Sequence, residues 1–181
     1  QYLDMHGSSR DAMSIEDALK IATYKSGKYT IERPLHFGAV IAGANDELLQ
    51  IYTEYGIPLG IAFQMRDDLL GVFGDSSVTG KPTGDDLIEG KRTALIAYAQ
   101  QNLDTHEHNE FTKLFGQKNL TLDGIDTLRA LIQGSGAVDF IEKLIEEKTI
   151  LALSAIKNPK ISQSGRELLS ELAIKATQRS A

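Results

Sequence analysis

Apolar residues recur along this chain at three- and four-residue spacing and nowhere alternate over the length of a strand, which predicts helices throughout. Ser14-Ile15-Glu16-Asp17 reads as a helix start, with a capping hydroxyl and acids in the first turn, leading into Ala18, Leu19, Ile21 and Ala22. Arg33-Pro34 is expected to interrupt that helix, because the residue before a proline is driven out of the helical region. A second run, 35–44, is rich in small residues (Gly38, Ala39, Ala42, Gly43) and predicts close packing of another helix. Asn45-Asp46-Glu47 caps a long helix over 48–72, with a bend expected at Gly56-Ile57-Pro58. Residues 74–91 break the periodicity with four glycines and a proline and read as one long loop. Helical spacing resumes at 93–103, 110–115, 122–132, 138–156 and 166–177, separated by Gly134-Ser135-Gly136 and Asn158-Pro159. The pattern therefore predicts an all-α bundle, taken as one domain over 1–181.

Composition narrows the functions open to such a bundle. The 181 residues are 41% hydrophobic, enough for a sizeable core. A net charge of −6, from 25 acidic and 19 basic residues, opposes binding to a phosphate backbone, so no nucleic-acid partner is expected. There is no cysteine, which excludes disulfides and thiolate chemistry and is compatible with a reducing cytoplasm. The uncharged run 55–65 is far short of the roughly 18 to 20 residues that span a bilayer, so no transmembrane segment is expected. Gln1-Tyr2-Leu3-Asp4 does not begin like a signal peptide, and the absence of an initial Met suggests a piece of something longer.

Chemistry concentrates in Phe63-Gln64-Met65-Arg66-Asp67-Asp68-Leu69-Leu70-Gly71. Gln64, Asp67 and Asp68 stand at i, i+3 and i+4 and share a helical face, an oxygen-rich patch suited to Mg²⁺. An Asp-Asp pair alone is ordinary surface content, but here Phe73-Gly74-Asp75 and Thr79-Gly80-Lys81-Pro82 follow, then Gly84-Asp85-Asp86 and Lys91. Lysines beside glycine-rich turns can present ammonium and backbone N–H groups to phosphate. A nucleotide P-loop is excluded, since five residues separate Gly74 from Gly80 and Pro82 follows Lys81. His106 and His108 stand two apart and lack the spacing of a helical zinc pair, while His36 reads as a satisfied packing residue.

In their order, Phe63, Gln64, Asp67, Asp68, Phe73-Gly74-Asp75, Thr79-Gly80-Lys81, Gly84-Asp85 and Lys91 resemble the second aspartate-rich motif of the all-trans isoprenyl diphosphate synthases and the lysines downstream of it. Upstream, Gln1-Tyr2-Leu3-Asp4 resembles the end of that family's Gly-Gln-x-x-Asp helix, and Lys25-Ser26 its Lys-Thr pair with a hydroxyl kept. The family's first aspartate-rich motif is not in this sequence. The third aspartate of the second motif is replaced by Gly71, as in some bacterial geranylgeranyl-type synthases.

The resemblance implies an all-α fold of the isoprenoid synthase type, of which 1–181 would be the carboxy-terminal half, and a chain-elongating prenyltransferase. Its substrates would be an allylic diphosphate and isopentenyl diphosphate, its cofactor Mg²⁺, its assembly a homodimer, its location cytoplasmic. Asp67 would hold the metal with Asp68 as its partner. Lys25, Lys81 and Lys91 would grip diphosphate around one cavity, Gln64 and the Ser26 hydroxyl would turn oxygen dipoles on the allylic cation, and Phe63 would face the isoprenyl tail. A terpene cyclase usually lacks the Thr-Gly-Lys and Lys-Thr elements together; a non-catalytic helical subunit is the other alternative. The chain alone is expected to make no product.

Overall fold

A computed structural model describes residues 13–74 and 84–178. Among them every regular element is helical: α1 (Ile15–Ala22), a π-helical segment (Thr23–Glu32), α2 (Arg33–Ile41), α3 (Asp46–Phe73), α4 (Asp85–Ile88), α5 (Ala94–Asn102), α6 (Thr105–Leu114), α7 (Leu122–Gly134), α8 (Ala137–Ala155) and α9 (Gln163–Thr177). The caps fall where the side chains predict them. Ser14 Oγ accepts from the Asp17 N–H at 3.0 Å and Asn45 Oδ1 from the Leu48 N–H at 3.1 Å.

The expected interruption at Arg33-Pro34 is a change of helical register instead. The Arg33 N–H bonds to the Lys28 carbonyl five residues back, and Pro34 falls in the first turn of α2, just past that wider turn. Pro58 likewise lies inside α3 without ending it; Glu54, whose carbonyl it leaves without an intrahelical donor, occupies an exposed position. The expected loop 74–91 contains the single turn α4, which the acids Asp85 and Asp86 begin.

The chain divides into two compact units, one built from 13–19 and Asp67–Glu142, the other from Lys20–Arg66 and 143–178. In the second unit Ile51, Tyr55 and Leu59 of α3 pack with Ala152, Ile156, Ile161, Leu169 and Ala173. The π segment lies so close to α3 that a Cβ on Gly60 would collide with the backbone of Ser26 and Gly27, and one on Gly56 would stand 3.0 Å from Glu32 Cα. Close packing predicted for 35–44 is thus found elsewhere: nothing lies within 4 Å of where a side chain on Gly38 or Gly43 would begin, and Phe37, Val40 and Ile41 are exposed. In the first unit α5 and α6 each pack on α7, burying Leu95, Phe111, Leu128 and Ile132.

Tyr55 is fully buried and its hydroxyl donates to the Leu169 carbonyl at 2.7 Å. Burial pushes the phenol pKa well above its ordinary 10.0, so its contribution is complete below that value and is lost as pH climbs past it. Tyr55→Phe is expected to cost about 1–2 kcal/mol at neutral pH, through the unpaired carbonyl, and to flatten the alkaline loss. Denaturant midpoints of both proteins at neutral pH and above 10.0 check this; equal alkaline slopes would refute it.

Candidate diphosphate and metal site

The first unit assembles its polar cluster on one short motif. Gly84 at φ 71° begins α4 and Gly90 at φ 67° ends it, conformations that favour glycine. At that end the Lys91 N–H reaches back to the Asp86 carbonyl at 2.9 Å and the Gly90 N–H to Leu87 at 3.3 Å, the bond pair of a Schellman ending. The same two residues then pair through their side chains. Lys91 Nζ donates to Asp86 Oδ2 at 2.9 Å and to Asp68 Oδ1 on α3 at 3.1 Å. Both carboxylates are buried, with side-chain exposures of 4% and 7%, whereas Lys91 keeps 31%. Burial alone would lower the Lys91 pKa; the Asp68 and Asp86 charges outweigh it and raise it, so the ammonium stays protonated.

In the second unit the hydroxyl of Ser26, in the π segment, donates to Gln64 Oε1 on α3 at 2.7 Å, and both residues are buried. Gly27 and Gly60 make this possible by letting the two backbones meet. The bond uses the hydroxyl proton and leaves the Ser26 lone pairs as an oxygen dipole. Lys25 beside it is exposed and Phe63 half-buried.

The structure therefore joins Ser26 with Gln64, and Lys91 with Asp68. Asp67, half-buried on α3, belongs to the unit of Asp68 and Lys91, while Lys25 and Phe63 belong to the other. Lys81 and Gln1-Tyr2-Leu3-Asp4 lie outside the described residues. Among the described residues no cluster of three His, Cys, Asp or Glu side chains is arranged to hold a metal. The donor set still fits Mg²⁺, which takes one or two protein carboxylates and completes its shell with water and phosphate oxygens. Asp67 is the acid of α3 that could hold it, because Asp68 already gives an oxygen to Lys91. His106 and His108 are exposed on α6, and His36 Nε2 meets the Leu49 carbonyl at 2.9 Å and Thr53 Oγ1 at 3.0 Å, as a packing residue should.

Asp86 is the residue that the sequence reading missed. The resemblance runs through Gly84-Asp85, whereas it is the next acid that turns toward Lys91. A signal was present: Asp86 and Lys91 stand five apart across Gly90, the spacing of a Schellman ending. Also unforeseen is the buried carboxylate of Glu32, which accepts from Thr53 Oγ1 at 2.9 Å.

Comparison with known proteins gives the family. The polyprenyl synthetase family model matches residues 1–132. The geranylfarnesyl diphosphate synthase of Aeropyrum pernix is 37% identical over 163 residues, covering 88% of this chain and 49% of that protein. A crystal structure of geranylgeranyl pyrophosphate synthase from Corynebacterium glutamicum, complexed with isoprenyl diphosphate and magnesium, superposes with a TM-score of 0.95 at 39% identity, over 99% of this chain and 51% of the other. A polyprenyl synthase from Caulobacter crescentus, complexed with calcium and isoprenyl diphosphate, gives 0.88 at 31% identity, over 99% and 54%. The chain spans about half the length of these relatives. No helix among the described residues is long and apolar enough to cross a membrane. With its family model matched over most of its length and its helices superposing on solved synthases, the chain belongs to the polyprenyl synthetase family.

Proposed function

We propose that this chain is the carboxy-terminal part of a single all-helical prenyltransferase domain that joins an allylic diphosphate to isopentenyl diphosphate. The observation that carries the reading is the Lys91 ammonium, kept protonated between Asp68 and Asp86, in a chain similar to synthases solved in complex with isoprenyl diphosphate and magnesium or calcium.

In the reaction the allylic C–O bond breaks and its electron pair leaves on diphosphate; the double bond of isopentenyl diphosphate attacks the cation, and a proton is then lost. Lys25, Lys81 and Lys91 are the cations for diphosphate, whose charge stabilises the leaving group as it develops. Asp67 would hold Mg²⁺, with Asp68 as its partner, and when bound the metal neutralises the leaving group. Gln64 and Ser26 present oxygen dipoles to the allylic cation, and Phe63 lies against the isoprenyl tail. The relatives are diphosphate synthases by name, which favours chain elongation over cyclisation or a non-catalytic subunit.

We place the enzyme in the cytoplasm, with which a cysteine-free chain is compatible. Its assembly is a homodimer, supported by Tyr29, Phe37, Val40 and Ile41, which remain exposed on the π segment and α2. Sedimentation of the full-length protein at micromolar concentration should give twice the monomer mass; a monomer would refute this. The activity is tested by incubating the full-length protein with Mg²⁺ and both diphosphates. Mass spectrometry should find a lengthened prenyl diphosphate with release of inorganic diphosphate. Absence of both would overturn the reading.

A further inference from the structure

Within the second unit α3 shows two faces. It turns Gly60 to the π segment, where a Cβ would collide with the backbone of Ser26 and Gly27, and Gln64, whose Oε1 accepts from the Ser26 hydroxyl. On another stripe Tyr55, Leu59 and Ala62, at i, i+4 and i+7, are fully buried, and Tyr55 and Leu59 pack in one cluster with Leu169 and Ala173 of α9. Arg66 continues that stripe at i+11, about three turns beyond Tyr55. It too bonds to α9: its Nε donates to the Thr177 carbonyl at 2.8 Å, as the Tyr55 hydroxyl does to the Leu169 carbonyl at 2.7 Å. Thr177 is the buried last residue of α9, and a carbonyl in the last turn of a helix has no intrahelical donor. The guanidinium supplies one, at a helix end that also favours positive charge. Two long-range bonds thus fix α3 against α9, both along its axis and about it.

We propose that Arg66 is a positioning residue for Asp67: by anchoring α3 to the end of α9, it sets the direction in which the next residue presents its carboxylate to a divalent metal. The inference rests on the prenyltransferase reading for the role of Asp67, and on the bond from Arg66 to Thr177 for its residue. A carboxylate about 5 to 6 Å from the helix axis moves about 1 Å for each 10° that the helix turns. A displacement of that size can cost about a hundredfold in rate within a reacting constellation. A small rotation of α3 is therefore enough to impair the site, with no loss of fold. Residues 163–177 lie beyond the span that the family model matches, and this bond connects them to the site.

Glutamine and methionine separate the bond from the charge. A glutamine amide nitrogen stands as many bonds from Cα as the arginine Nε and keeps an N–H donor without the charge; methionine has the same reach and no donor. In the full-length enzyme Arg66→Met should lower kcat about tenfold or more and raise the Mg²⁺ concentration at half-maximal rate, whereas Arg66→Gln should stay within about threefold of wild type in both. On the Asp67→Asn background Arg66→Met should cost nothing further, because the positioned group is already gone. Tyr55→Phe is the control for lost stability: it also breaks a bond to α9 but leaves Arg66 in place, and should leave kcat and the Mg²⁺ dependence unchanged.

A purely structural Arg66 would lower the unfolding midpoint and leave the folded protein's affinity for Mg²⁺ with inorganic diphosphate intact. Isothermal titration with that probe is therefore run on every variant at a temperature where each is folded. The expected result is weaker binding in Arg66→Met and wild-type binding in Arg66→Gln and Tyr55→Phe. Unchanged affinity in Arg66→Met, equal losses in Arg66→Gln or Tyr55→Phe, or losses additive with Asp67→Asn would each overturn the proposal. Should the wild-type enzyme make no prenyl diphosphate, the functional reading falls separately, and the titrations still decide for or against Arg66.

Discussion

Replacing Asp67 by asparagine in the full-length enzyme is expected to lower kcat by about 10²- to 10³-fold while changing KM for the allylic diphosphate far less. The residue stands half-buried on α3, next to an acid that is otherwise engaged: Asp68 is buried and gives Oδ1 to Lys91 at 3.1 Å. Asp67 shows no such commitment among the described residues, and on the proposed function it is the carboxylate that would take a divalent cation. Asparagine keeps the shape and one carbonyl oxygen but removes the charge. Negative charge accumulates on diphosphate mainly as the C–O bond breaks, so a weakened metal is felt in the transition state more than in the bound substrate. Steady-state rates with saturating Mg²⁺ separate the two; an unchanged kcat would remove Asp67 from the mechanism.

The polar helical face of this chain was legible in its sequence because it depends on local spacing. Gln64, Asp67 and Asp68 announce a polar helical face because three- and four-residue steps on a helix are a fixed geometry. Ser14 and Asn45 announce helix starts because a short polar side chain reaches only its own first turn. Local rules also account for the errors. Pro34 looks like a break in any sequence, and only the five-residue bond from Arg33 to Lys28 turns it into the first turn of α2. The glycines of 35–44 look like packing residues, but Gly27, Gly56 and Gly60 are the ones that meet another backbone, and composition does not say which glycines face a neighbour.

Gly71 is the plainest case of a position whose surroundings a local reading does not show. Taken along α3 it is a lost carboxylate. In three dimensions it is a vacancy filled by Asp86, and nothing within α3 itself announces an acid arriving from α4. The choice between Asp85 and Asp86 has the same origin. Both begin α4, and the Gly90 ending alone selects the one whose carbonyl and carboxylate turn to Lys91.

Truncating Lys91 to alanine is expected to destabilise the full-length protein by about 3 kcal/mol, besides removing its grip on diphosphate. Without the ammonium the buried carboxylates of Asp68 and Asp86 lose the countercharge they share. Breaking a buried ion group from one side costs about 3–5 kcal/mol, and the low end applies because the Lys91 side chain itself keeps 31% of its exposure. Removing the whole group should be far milder, since neutral residues of similar size need no partner charge. The triple variant Lys91→Met, Asp68→Asn, Asp86→Asn is therefore expected to recover most of the lost stability and none of the activity. Denaturant midpoints and turnover, measured on the same preparations, separate the two roles. If Lys91→Ala unfolds at the wild-type midpoint, the carboxylates do not depend on this ammonium. If the triple variant turns over like wild type, Lys91 does not hold the leaving diphosphate.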